Sequence, residues 1–135
     1  MTTLFQLGLS ILANQPFSQV LGTELKLLEP GSAVLALKIQ EQHKQQHGFV
    51  HGGVISYLAD NALTFAGGSV LGDSVTSEYK INYLRPGLGH TLEARAEVLG
   101  SGKKQAVCQC EVFALDDGGE RLVAVAQGTI SKAGE

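Results

Sequence analysis

The sequence predicts an α+β domain in which a six-stranded antiparallel sheet wraps around one long central helix. Three observations point that way. Apolar residues at Val54, Ile55, Leu58, Ala59, Ala62, Leu63 and Ala66 recur at helical spacing. The segments on either side alternate apolar and polar residues with period two, as half-buried strands do. Gly100-Ser101-Gly102 and Asp116-Asp117-Gly118-Gly119 are short turn signals that make their flanking strands antiparallel neighbours. A sheet of this kind must bury its apolar face, and the Val54 to Ala66 helix is the apolar element long enough to cover it.

The elements follow in order. Residues 1–12 carry apolar side chains interrupted by Gln6 and Ser10, with no Lys or Arg ahead of them, so they predict an amphipathic helix and not a signal peptide. Pro16 punctuates. Leu21, Thr23, Leu25 and Leu27 then share one parity and predict a first strand within Phe17 to Leu28. The turn at Glu29-Pro30-Gly31-Ser32 leads to a second strand with Ala33, Leu35, Leu37 and Ile39 inward, forming a hairpin. Gln40 to His47 is a polar loop into the central helix, which Gly67-Gly68 is expected to end. In the next strand Val75, Ser77, Tyr79, Ile81 and Tyr83 oppose Thr76, Glu78, Lys80 and Asn82, with Arg85-Pro86-Gly87 closing it. Three further strands place Leu92 to Val98, Ala106 to Ala114, and Leu122 to Ile130 inward on alternate residues. Ala59, Ala62, Ala66, Ala94, Ala96, Ala106 and Ala124 are small enough for close helix-to-sheet approach.

Composition narrows the function classes. The 135 residues make one domain, 1–135, and 44% hydrophobic against 17% charged residues fits a well-buried core. A net charge of −3 argues against nucleic-acid binding, which needs a clustered basic surface. No run approaches the ~18 apolar residues of a membrane span. Cys108 and Cys110 lie on one strand face with Cα atoms roughly 6.7 Å apart. A disulfide there would be strained, so two reduced, half-buried thiols in a cytoplasmic protein are expected. His43, His47 and His51 have helical metal spacing, but their Gln- and Gly-rich setting predicts a loop and no metal site.

The chemistry concentrates between Gln45 and Ala66. His51-Gly52-Gly53 stands where the helix begins, where unpaired N–H groups near Gly52 and Gly53 can polarise an electron-rich oxygen. Asp60 and Thr64, four residues apart, share a face of an otherwise apolar helix. From His51 to Asp60 the helix rises roughly 13.5 Å, and nine steps of about 100° put them on opposite sides. One chain cannot bring them to one substrate. A two-fold dimer with antiparallel central helices can, so the site is expected to be shared between subunits.

His51-Gly52-Gly53 with Asp60 nine residues on, Gly48 ahead of it, and the strand end Ile81-Asn82-Tyr83-Leu84-Arg85-Pro86 together resemble the hotdog-fold acyl-CoA thioesterases of the phenylacetate-pathway and 4-hydroxybenzoyl-CoA thioesterase type. The resemblance covers nearly the whole chain. It implies a hotdog fold, dimer-shared active sites and a homodimer assembling to a homotetramer. It also implies hydrolysis of an acyl-CoA, with coenzyme A as part of the substrate and no separate cofactor. Asp60 then matches the general base or nucleophile, and Gly52 the backbone donor to the thioester carbonyl, supported by His51 and beside Gly53. Gln45 matches a residue contacting substrate or water, Thr64 a hydroxyl on the carboxylate's face, and Thr76, more loosely, a hydroxyl near the water.

A carbonyl polarised at a helix N-terminus is more electrophilic, and a nearby carboxylate can activate water or attack directly to form an anhydride. The sequence leaves both open. Arg85, Lys103 and Lys104 lie at strand ends, where they could meet the phosphates of coenzyme A. Tyr57, Leu58, Phe65 and Tyr83 are candidate acyl-pocket walls. Two other classes stay in view: an enoyl-CoA hydratase on the same fold, and a non-catalytic acyl-CoA binding module.

Overall fold

The computed structural model describes residues 1–134. Helix α1 (Leu4–Ala13) starts at Thr3, whose Oγ1 accepts the Gln6 N–H while the Gln6 side chain accepts from the Thr3 N–H. The expected first strand divides in two. Pro16 is pre-set for the opening turn of a short helix, α2 (Pro16–Leu21), and Gly22 ends it at φ 78°. Strand β1 (Glu24–Glu29) then begins later than the alternation suggested. A bulge between Leu25 and Leu27 turns Leu28 inward and leaves Leu27 at the surface.

Strand β2 (Ser32–Lys38) completes the hairpin. A 3-10 turn (Glu41–His43) interrupts the loop that leads to α3 (Gly52–Leu71), and β3 (Ser74–Tyr83), β4 (Thr91–Ser101), β5 (Gln105–Asp116) and β6 (Gly119–Lys132) follow. Among the described residues the six strands form one antiparallel sheet in the order β1-β2-β4-β5-β6-β3. The long β3 is therefore an edge strand, beside the last strand of the chain.

The sheet wraps α3 as expected. Leu58, Ala59, Ala62, Leu63 and Ala66 are fully buried against Leu35, Leu92, Val112 and Ile130. Each large aliphatic side chain buried this way contributes about 1.5–3 kcal/mol. The helix does not end at Gly67-Gly68. It runs on to Leu71 and stops at Gly72, whose φ is 92°. Gly67 serves packing: a Cβ there would lie 2.7 Å from the Cβ of Ile130.

Cys108 and Cys110 are free thiols, more deeply buried than the expected half-exposed pair. Burial pushes them up to about 11 and about 12. Among the described residues no helix is long and apolar enough to cross a membrane.

Candidate active site

The loop before α3 is fastened at several points. His43 is fully buried; its Nδ1 accepts the Gln40 N–H at 2.9 Å, so its Nε2 carries the proton and donates to the Leu21 carbonyl at 3.0 Å. With both nitrogens engaged, His43 has no lone pair for a metal. Its carbonyl accepts the His51 N–H at 2.8 Å, and the Val50 N–H donates to Gly87 at 3.0 Å. The Gln45 side-chain oxygen accepts the His47 N–H, so part of this predicted substrate contact holds the turn itself.

These bonds deliver His51 to the N-cap of α3. Its Nδ1 accepts the Gly53 N–H at 2.8 Å, and its carbonyl accepts from Val54 at 2.9 Å and Ile55 at 3.3 Å. The expectation of open amides at both Gly52 and Gly53 therefore narrows. Gly53 is satisfied by the His51 ring, while among the described residues the Gly52 N–H has no acceptor. Tyr83, at the end of β3, donates its hydroxyl to the Gly52 carbonyl at 3.1 Å and steadies this first turn. Tyr83 was expected only as a pocket wall; the tyrosine closing the strand before Arg85-Pro86 was the available signal.

Asp60 lies half-buried in the middle of the same helix. Thr76 Oγ1 donates to its Oδ1 at 2.6 Å, and Thr64 Oγ1 is 2.8 Å from Thr76 Oγ1 and 3.0 Å from the Asp60 carbonyl. Because Thr76 spends its proton on the carboxylate, the single Thr64 proton is shared between two acceptors, the Thr76 oxygen and the Asp60 carbonyl. Among the described residues Asp60 Oδ2 has no partner. Thr76 reaches this position because a bulge between Thr76 and Glu78 reverses the strand's parity. It points Thr76 inward and leaves Val75 55% exposed, against the predicted alternation.

The Gly52 turn and Asp60 stay apart within the chain. Helix α3 is unbroken, so Gly52 and Asp60 are separated by roughly 12 Å of rise. Strand β3 touches both, through Tyr83 at Gly52 and Thr76 at Asp60.

The three predicted cations do not converge either. Arg85, past the Tyr83 end of β3, donates Nη1 to the Leu122 carbonyl at 2.9 Å. Lys103 and Lys104 lie beyond the opposite end of that edge, in the β4–β5 turn, and share an open groove with Lys132, which sequence reasoning passed over. Of the four expected pocket walls, Leu58 is plain core. Tyr57 directs its hydroxyl to Thr23 at 2.7 Å, among the side chains that tie α3 to α2. Phe65 borders a cavity between α1 and α3.

Residues 47–120 match the model of the thioesterase superfamily. The acyl-coenzyme A thioesterase PaaI of Escherichia coli strain K12 is 34% identical over 100 residues, covering 73% of this chain and 71% of that protein. A thioesterase family protein from Silicibacter pomeroyi superposes with a TM-score of 0.91 at 32% identity, covering 96% of this chain and 97% of the other. The E. coli PaaI structure, from the phenylacetic acid degradation operon, gives 0.85 at 28% identity, with 97% and 94% covered. With its wrapped helix and these relatives, the chain belongs to the thioesterase superfamily as a hotdog-fold thioester hydrolase of the PaaI type.

Proposed function

We propose that this protein hydrolyses the thioester of an acyl-CoA in a site built from two copies of the chain. The observation that carries this is the pair of open groups on one unbroken helix, the Gly52 N–H and Asp60 Oδ2, too far apart to act on one carbonyl. Strand β3 suggests how the copies meet. It is a ten-residue edge with Val75 and Tyr83 more than half exposed, a surface that favours pairing with another strand. Antiparallel pairing of two β3 strands about an axis near Tyr79 and Lys80 would set Thr76 of one copy across from Tyr83 of the other. Asp60 of one copy then faces the Gly52 turn of its mate, and Arg85 approaches the end where the other copy carries Lys103, Lys104 and Lys132.

In this arrangement the thioester oxygen accepts the Gly52 N–H, backed by the positive end of the helix dipole. Asp60 takes a proton from water, whose oxygen adds to the carbonyl carbon. Collapse breaks the C–S bond, and the coenzyme A thiolate is protonated as the free acid forms. Attack by Asp60 itself would give an anhydride that water then opens. A single turnover in ¹⁸O-water separates the two, since only the anhydride route can leave label in Asp60. With the family resemblance we extend this proposal to a dimer of two such dimers, and with the free thiols Cys108 and Cys110 to a cytoplasmic protein.

The test is coenzyme A release across short, medium, long and aromatic acyl-CoAs. The native protein should hydrolyse at least one class, and Asp60→Asn should lose ~10²–10⁴-fold with its oligomeric state intact. Full activity in that variant, or hydration of an enoyl-CoA without coenzyme A release, would overturn the assignment.

A further inference from the structure

The cavity between α1 and α3 has a volume of about 450 Å³, within the ~300–1,000 Å³ usual for small-molecule pockets. Leu4, Leu7 and Ile11 form its α1 wall, and Phe65 and Gly68 stand across from them on α3. Two features connect it to thioester chemistry. One wall residue is Thr64, whose hydroxyl touches the Asp60 backbone carbonyl and the Thr76 hydroxyl that donates to the carboxylate, so the cavity begins one hydroxyl away from the carboxylate. Asn61 Nδ2 donates to Gln15 Oε1 at 2.9 Å, and this bond pins the segment after α1 at the same end.

Gly68 is the second feature. Glycine inside a helix costs about 1 kcal/mol relative to alanine. At neighbouring Gly67 the cost has a packing reason, since any Cβ would collide with Ile130. Gly68 has none: a Cβ there would meet only Ser74 Oγ, at 3.9 Å. What its missing side chain preserves is open space in the cavity.

We infer that this cavity receives the acyl chain of the substrate, with Gly68 setting its capacity; the inference rests on the acyl-CoA thioesterase reading above. Leu4 to Ile11 spans about 10.5 Å of helix. At about 1.25 Å per methylene along a zigzag of ~1.5 Å bonds, that holds a straight chain of roughly eight carbons. Asp73 and Ser74 bring polar groups to the wall beyond Gly72, away from Thr64, and a longer chain would have to push past them.

Calorimetric binding of S-alkyl-CoA thioethers, which cannot be hydrolysed, tests the cavity separately from the reaction. In the native protein affinity should rise about fourfold per methylene up to roughly eight carbons and then level off. Over the six extra methylenes that makes octyl-CoA ~4 × 10³-fold tighter than ethyl-CoA. Gly68→Leu, which fills the space, should cut this octyl-to-ethyl ratio at least tenfold. Gly68→Ala, the milder variant if leucine disturbs folding, should lower the ratio and raise Tm. Affinity independent of chain length, or a ratio unmoved in both variants, would overturn the cavity's role even if hydrolysis is found. A steep chain-length dependence with no hydrolysis would support the cavity and remove the reaction.

Discussion

The first turn of α3 and its middle, the two halves of the proposed site, are finished in different ways. At Gly52 the proposed reactive element is backbone: His51 caps one amide, Tyr83 holds the carbonyl, and the Gly52 backbone N–H is left over. At Asp60 the element is a side chain, with Thr76 and Thr64 ordering one carboxylate oxygen and the other left over. Among the described residues Gly52 is the one backbone amide of the first turn left without an acceptor, and Oδ2 is the one Asp60 carboxylate oxygen left without a donor. The leftover donor and the leftover acceptor are what carbonyl polarisation and water activation require. Their separation along a rigid helix is the physical reason for placing them in one site only when two chains meet.

Substitutions that strike one region and spare the other sharpen this contrast. The largest effect is expected from Gly52→Pro. Proline is well tolerated at the first helical position, and His51 already has the extended φ of −59° and ψ of 136° that suits a residue before proline. The variant should keep its helix content by circular dichroism while losing the amide. The cost should be ~2.7–4 kcal/mol, or about 10²–10³-fold in kcat. Retained activity would show that the amide polarises nothing.

Thr76→Val removes the donor to Asp60 and should lower kcat by ~10–100-fold, as the loss of a hydrogen bond to a charged group would. Thr76→Ser should restore most of the activity. Recovery in Ser but not Val separates the hydroxyl's role from packing. Tyr83→Phe frees the Gly52 carbonyl at an exposed position and should cost only a few-fold in kcat/KM. A loss as large as that of Gly52→Pro would mean the tyrosine touches substrate.

The legible part of the fold was the part governed by period. The helix at Val54 to Ala66 and the inward residues of β4 and β5 follow from spacing, because burial against one another enforces it. What escaped were local departures with causes elsewhere in space. The bulge that turns Thr76 toward Asp60 lies in the pairing of β3 with β6. Gly67 is a glycine for packing and not for ending the helix, because Ile130, on a strand more than sixty residues away, fills the space a Cβ would need. Leu21 and Thr23 kept the alternation of a strand, while Pro16 and Gly22 between them enforced a helix. In the candidate site the types and spacing of His51, Gly52, Asp60 and Thr64 were readable. That Gly53's amide is already taken was not, since that depends on the orientation of the His51 ring. The cavity beside α1 was missed because its walls come from segments some sixty residues apart.

The central claim is that one site takes Gly52 from one chain and Asp60 from another, and subunit complementation tests it most directly. Asp60→Asn and Gly52→Pro chains would be co-expressed and the hybrid isolated by orthogonal tags. Each mutant homodimer is expected to be nearly inactive. The hybrid should carry one intact site of two, so a random mixture should recover about a quarter of native kcat, and the purified hybrid about half. A hybrid no more active than its two parents would contradict the shared site.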